Sequence, residues 1–340
     1  MSSPAPASHA RFSRSTRIRP YEVAVWGIAV VAIVVFPEHS PRWNEIAILA
    51  LFAVSLDLIL GYGGIISLGH AAFFGTGSYV AALFAKHVMP DPLVGLGVAA
   101  GAAALLGLIT SPLVLRGSDL TRLMITLGVA LILFELANRY SEITGGADGL
   151  QGVVMAPLLG MFSFGLDGRV GYAYSLIVLF ILFMLARRVV HSPFGYGLKA
   201  IRDNRLRATA IGINANLRLA AVYTLAAAYA GVAGGLLAQT TAFASLDVLD
   251  FHRSADVMLM LIMGGTGYLY GGLIGAAIFT LLKIKLSEIS PEYWEFWVGL
   301  VLVVVVLVGH ERLVRPWHKL ADWFAKRNAP ASDAAAETTR

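Results

Sequence analysis

Apolar runs near the length of a bilayer crossing follow one another along almost the whole chain. They occupy residues 21–36, 46–60, 65–85, 93–115, 121–137, 172–186, 219–238, 255–265, 271–285 and 294–308. A bilayer core takes about 20 apolar residues as a helix, fewer when a helix is short or enclosed by a bundle, so an all-α polytopic membrane protein of about ten spans, with eight as a lower bound, is expected. The runs 255–265 and 271–285 are short and joined by Gly-Thr-Gly-Tyr-Leu-Tyr-Gly-Gly, and read alternatively as one span and a re-entrant piece. Composition agrees with the class. Charged residues make up 14% of the 340 residues, against about 25% in soluble domains, and mean hydropathy is +0.72.

Lys and Arg set the orientation, because cytoplasmic loops retain an excess of them. With ten spans and the N-terminus inside, 19 of the 26 basic residues fall inside and 7 outside. Both termini are then cytoplasmic. The chain divides into a basic N-terminal tail, 1–20, a membrane domain, 21–309, and a C-terminal tail, 310–340, whose Ala, Ser, Thr and Pro content from 328 onward predicts disorder. Two loops are long enough to serve a function of their own, 138–171 outside and 187–218 inside. The first apolar run ends in Pro-Glu-His-Ser-Pro rather than a small-residue cleavage site, which reads as a signal anchor. Lys283 and Lys285, near an outer helix end, are expected to snorkel to the interface. Tyr21, Tyr293, Trp294 and Trp297 suit interfacial anchoring.

Within the apolar series, residues 60–85 stand apart. They read LGYGGIISLGHAAFFGTGSYVAALFA, with glycine at Gly61, Gly63, Gly64, Gly69, Gly75 and Gly77. Small residues let helix backbones approach closely in a bilayer. Backbone also leaves helical geometry at membrane depth, but only where protein buries it or where it lines a cavity. The stretch is therefore either a tight packing surface or a broken helix beside a passage. Asp57, Gly63, Gly64, Ser67, Gly69 and His70 are the candidates for that passage. Asp57 is balanced between lining it and making a structural hydrogen bond; His70 is expected to be satisfied by Ser67 or a backbone carbonyl. A segment at 61–74 weakly echoes 265–279, as an internal repeat or a shared glycine bias.

The inside loop contains Ser192 to Asn214, SPFGYGLKAIRDNRLRATAIGIN. Pro193 marks a turn. Residues 199–202 read as helical, and Asp203 or Asn204 can cap a second short helix, 205–211, ended by Gly212. Composition alone makes this a solvated cytosolic loop.

The glycine stretch resembles the signature of LivM-type permeases, the membrane subunits of ABC importers for branched-chain amino acids. The resemblance lies in Gly61-Tyr62-Gly63-Gly64, in Ser67-Leu68-Gly69-His70-Ala71-Ala72-Phe73-Phe74-Gly75 and in Gly77-Ser78-Tyr79. Asp57 stands where that family usually has Asn, and Ser78 where it usually has Ala. The inside loop resembles the same family's ATPase contact in Phe194-Gly195, in Ala200-Ile201-Arg202-Asp203-Asn204 and in Ala210-Ile211-Gly212-Ile213-Asn214. Arg205 and Thr209 replace residues that are often acidic there. The resemblance covers about residues 46–309. It implies an importer permease with a second homologous permease subunit, two ATP-binding subunits and a periplasmic binding protein as partners. It implies Arg202, Asp203, Asn204, Arg205, Arg207, Ala210 and Gly212 as the coupling loop, and a bacterial inner-membrane location. Relatives within the family import branched-chain amino acids, but also urea, short amides or aromatic acids, so substrate is left open.

Other chemistry finds little support. There is no Gly-x4-Gly-Lys-Ser/Thr phosphate loop, so any ATP is bound by another polypeptide. With no cysteine there is no disulfide or thiolate chemistry. No His-Glu-x-x-His helix appears, and no metal site, cofactor or catalytic residue is expected. The net charge of +5 needs no nucleic acid to explain it. Ser67 and His70 imitate a nucleophile and base without a third group to orient them. Met258, Met260 and Met263 read as packing residues, or else as an adaptable wall for an apolar side chain. An ion-driven secondary transporter using Asp57 and Glu135 is the rival from another class.

Overall fold

The computed structural model describes residues 20–308, apart from 166. The two tails beyond these residues, with their expected basic and disordered character, lie outside the described part. Thirteen α-helices form, and no strand is present among the described residues. Among the described residues, six helices are long and apolar enough to cross a membrane: Pro37–Tyr62, Pro92–Leu115, Asp119–Arg139, Arg169–Val190, Ala215–Thr241 and Leu269–Ile289. The chain is a multi-pass, all-helical membrane protein. The other four apolar runs also fold as helices, of 16, 17, 14 and 15 residues.

In chain order the helices are α1 (Pro20–Val35), α2 (Ser40–Asp57), α3 (Ala71–His87), α4 (Pro92–Leu115), α5 (Asp119–Arg139), α6 (Ser141–Thr144) and α7 (Arg169–Val190). Then come α8 (Pro193–Asp203), α9 (Arg205–Ala210), α10 (Ala215–Thr241), α11 (Phe251–Gly264), α12 (Leu269–Ile289) and α13 (Trp294–Val308). The chain forms two compact units, Met1–Thr280 and Leu281–Arg340, which divide within α12. In the second unit Lys285 pairs with Glu288 at 2.8 Å, and the Lys283 ammonium lies 4.9 Å from the centre of the Trp294 ring.

The first unit is built around α10, which packs on α4, α3 and α2. Small residues permit this. At Gly77 of α3 an added Cβ would overlap the carbonyl and Cα of Gly231; at Gly231 it would overlap Ala103 of α4. Gly107 of α4 sits against Ala227, and Gly235 against Ala99. Gly231 and Gly235 thus form the helix contact expected of a small-xxx-small pair. A second close pair joins α11 to α12, where Gly264 meets the Gly271 carbonyl and Gly275 meets the Met260 carbonyl. The runs at 255–265 and 271–285 are therefore two closely packed helices, joined by residues 265–268.

One expected span is corrected. Residues 65–85 do not form one helix. After α2 the chain makes a π-helical turn, Leu58–Tyr62, then runs without helix through 63–70, and α3 begins only at Ala71. Gly64 has φ +68°, a left-handed conformation that ends a helix at little cost only for glycine.

The connections of the first unit meet in two groups. In one, Gly61 of the π-turn lies against Gly267, and Arg202 of α8 donates to the Gly61 carbonyl. In the other, Leu150 and Ala244 exchange backbone hydrogen bonds at 2.7 and 3.4 Å. There too Lys86 donates to the Gln151 carbonyl at 3.0 Å, the Ala156 amide to the Pro90 carbonyl at 2.9 Å, and Gly168 lies against Pro41.

Candidate functional site

The break between α2 and α3 is largely enclosed by protein, with Gly64, Ile66 and Leu68 partly exposed, as non-helical backbone in a membrane domain must be buried or line a cavity. Thr126 of α5 accepts from the Leu68 amide at 3.3 Å, and an added Cβ at Gly69 would overlap the Thr126 carbonyl. Ser254 of α11 accepts from the Ala71 amide at 2.9 Å, which satisfies one of the free N–H groups at the start of α3. The glycine stretch is a broken helix in its first half and a tight packing surface in its second.

His70 is fully buried and stacks on Phe52, with ring centres 5.5 Å apart. Its partner is Ser55, not Ser67 or a backbone carbonyl as expected: Nε2 lies 2.8 Å from Ser55 Oγ. Ser55 Oγ spends its single proton on the Phe52 carbonyl at 2.6 Å, so it must accept from His70. That assigns the ring proton to Nε2 and leaves Nδ1 an acceptor without a partner among the described residues. Ser67 is equally buried, and its hydroxyl has no partner among the described residues. Gly63 and Gly69 are buried; Gly64, Ile66 and Leu68 keep partial exposure.

Asp57, also fully buried, closes α2 onto the α11–α12 connection. Its Oδ1 accepts from the Gly267 amide at 2.7 Å, so the structural hydrogen bond is made. Gly61 and Gly267 must both be glycine here. A Cβ at Gly61 would overlap Asp57 Oδ1 and the Gly267 amide, and Gly267 has φ +77°.

The loop 187–218 contains two helices and reaches this point. Pro193 begins α8 in its first turn rather than a bare turn, with Ser192 capping through the Gly195 amide at 3.4 Å. Arg218 of α10 holds that end, donating to the Pro193 and Phe194 carbonyls at 3.0 and 3.2 Å. At the other end Arg202 reaches the Gly61 carbonyl, with its Cγ over Gly64, and pairs with Asp203 at 3.2 Å. The Lys199 ammonium sits 5.2 Å from the centre of the Tyr62 ring. Partial burial, helped by the Arg202 charge and opposed by Asp203, holds that ammonium below its ordinary pKa.

Asn204 is the cap of α9, accepting from the Arg207 amide at 2.9 Å; Asp203 is not. The helix ends one residue earlier than expected, at Ala210, and Gly212 supplies the left-handed residue with φ +88°. Arg205 bonds Asn216 at 2.7 Å, and Arg207 is exposed. Between these arginines and Gly212 the loop presents Leu206 at 83% exposure and Ile211 at 75%.

The residues around the candidate site that the sequence reading did not single out are Ser55, Thr126, Ser254 and Gly267, together with Leu206; Ile211 stood in the loop motif. The first three are single hydroxyls in apolar runs, and Gly267 lay in plain view in Gly-Thr-Gly. Leu206 and Ile211 were legible as apolar residues on a basic loop.

A family described as branched-chain amino acid transport system / permease component matches residues 43–306. The chain is 28% identical over 305 residues to the LivM permease protein of the high-affinity branched-chain amino acid transport system of Escherichia coli K12, covering 81% of this chain and 70% of that protein. It is 30% identical to a probable branched-chain amino acid transport permease protein LivH of Methanocaldococcus jannaschii, covering 73% and 78%. It is 25% identical to the galactose/methyl galactoside import permease protein MglC of Salmonella typhimurium, covering 82% and 91%. No solved structure matches. The family match takes in the broken helix, the helices packed around it and the loop 187–218, and the chain belongs to the branched-chain amino acid permease family.

Proposed function

We propose that the chain is the membrane-spanning permease subunit of an ABC importer in a bacterial inner membrane, carrying branched-chain or related amino acids. It works with a second homologous permease, two ATP-binding subunits and a periplasmic binding protein, and hydrolyses no ATP itself. The observation that carries this is the family match across residues 43–306. The import permease for galactose among the relatives argues that the scaffold tolerates other small substrates.

Ten alternating spans with both termini inside fit the two groups of connections. In that topology the π-turn, residues 187–218 and residues 265–268 all fall inside, and these are the segments that meet at Gly61. Residues 86–92, 138–171 and 239–250 all fall outside, and they meet around Leu150 and Ala244. The basic residues follow the same division.

The substrate passage runs along the break. Gly64, Ile66 and Leu68 keep exposure there, while Asp57, Gly63, Ser67, Gly69 and His70 form the supporting wall behind them. The loop from Arg202 to Gly212 couples the ATPases to this passage. Leu206 and Ile211 are its contact with the ATPase groove, with Arg205 and Arg207 at the rim. Burying two such side chains supplies about 1.5–3 kcal/mol each.

The test is co-purification. Leu206→Asp with Ile211→Asp should strip the ATP-binding subunits from the permease pair, because two charges cannot enter an apolar groove. Association at the wild-type level would refute the docking assignment.

A further inference from the structure

Arg202 lies in the loop and its side chain is 39% exposed, but one guanidinium nitrogen reaches back to the break. Its stem crosses Gly64, and Nη1 donates to the Gly61 carbonyl. That carbonyl belongs to the turn where the helix stops, so no following helical N–H is available to it. Arg202 supplies the donor instead. The point it grips is a junction. Within the same few residues Asp57 Oδ1 contacts Gly61 and accepts from Gly267, which joins the end of α2 to the α11–α12 connection. At its other end α8 is held to α10 by Arg218. Helix α8 therefore bridges the start of α10 and the break, with α9 capped directly onto its end by Asn204.

We infer that Arg202 is a positioning residue that carries displacement of the docking helix α9 to the break between α2 and α3. This rests on the coupling-loop reading above. Two routes are available for such a movement. One runs through the long helices α7 and α10 that flank the loop. The other runs through α8 into the Gly61 carbonyl, and it is shorter and ends on the segment that must change shape. A charge-assisted hydrogen bond to a backbone carbonyl suits this role, and the Asp203 carboxylate, 3.2 Å from the same guanidinium, orients it.

The experiment uses the complete importer in liposomes, with leucine and its binding protein as probe. Three quantities are read: ATPase association, ATP hydrolysis, and leucine imported per ATP. Arg202→Met keeps the stem over Gly64 and removes every donor. Association and basal hydrolysis should stay within about twofold of wild type, while leucine per ATP falls about tenfold, the equivalent of one charge-assisted hydrogen bond. Arg202→Lys, which keeps one long-armed donor, should recover part of the loss. A merely structural Arg202 would lower association together with import, and that result overturns the inference. So does unchanged leucine per ATP in Arg202→Met, or an Arg202→Lys variant no better than Arg202→Met. Failure of the docking reading is separate: it appears as retained association in the Leu206→Asp, Ile211→Asp variant.

Discussion

The same substitution, glycine to alanine, should have opposite effects at Gly77 and Gly101. At Gly77 of α3 the new methyl would overlap the backbone of Gly231. A backbone cannot rotate aside as a side chain can, so α3 and α10 must separate along their contact. Overpacking of this kind costs about 1–3 kcal/mol. Gly101 lies on α4, exposed, and a Cβ there meets nothing within 4 Å. Alanine at that position only improves helix propensity, by about 0.5–1 kcal/mol. The two variants should therefore differ by about 1.5–4 kcal/mol, or more than tenfold in the ratio of folded to unfolded protein. The assay is the monodisperse fraction recovered by gel filtration after heating each variant in the same detergent. Gly77→Ala should fail at a lower temperature than wild type and Gly101→Ala at the same or a higher one. Equal stability of the two variants would refute the close α3–α10 contact as the reason for Gly77.

Gly69→Leu should abolish uptake while the chain still inserts, because even its Cβ overlaps the Thr126 carbonyl; full uptake, measured beside membrane abundance, would contradict this. Asp250 caps α11 by accepting from the His252 amide at 2.9 Å, and that bond, with the His252 ring and Arg253, holds its carboxyl below the usual range against a smaller opposing effect of burial. The cap's contribution is thus present above the ordinary value of 3.8 and lost as pH falls through the lowered one. Amide exchange at the start of α11, corrected for intrinsic rates, should accelerate in that acid window in the wild type and show no such step in Asp250→Asn. For topology, single cysteines introduced into this cysteine-free chain should be labelled from outside intact cells at Ala147 and not at Thr209; the reverse pattern would invert the orientation.

The helices were legible in the sequence because burial in lipid or in a bundle leaves long apolar runs with few charges. All ten runs fold as helices, though the third begins only at Ala71, and the start and stop signals of the loop, Asn204 and Gly212, act as their chemistry suggests. The break at 63–70 was only half legible. Glycine density marks both close helix packing and loss of helix, and what separates them is the surrounding protein: Thr126, Ser254 and Gly267 come from three distant segments. His70 illustrates the same limit. Ser67 is its neighbour in sequence, but the break carries Ser67 away and brings Ser55 across. Arg202 lay in a stretch whose basic residues look alike, and only the fold brings one of its nitrogens to the Gly61 carbonyl while Arg205 bonds Asn216.

Reconstitution tests the central claim most directly. Liposomes carrying this chain, its partner permease and the two ATP-binding subunits should accumulate leucine when binding protein is supplied outside and ATP inside. Omitting the ATP-binding subunits should reduce uptake to the level of empty liposomes, with or without a proton or sodium gradient. Uptake by this chain alone, driven by such a gradient, would contradict the account and identify an ion-driven transporter instead.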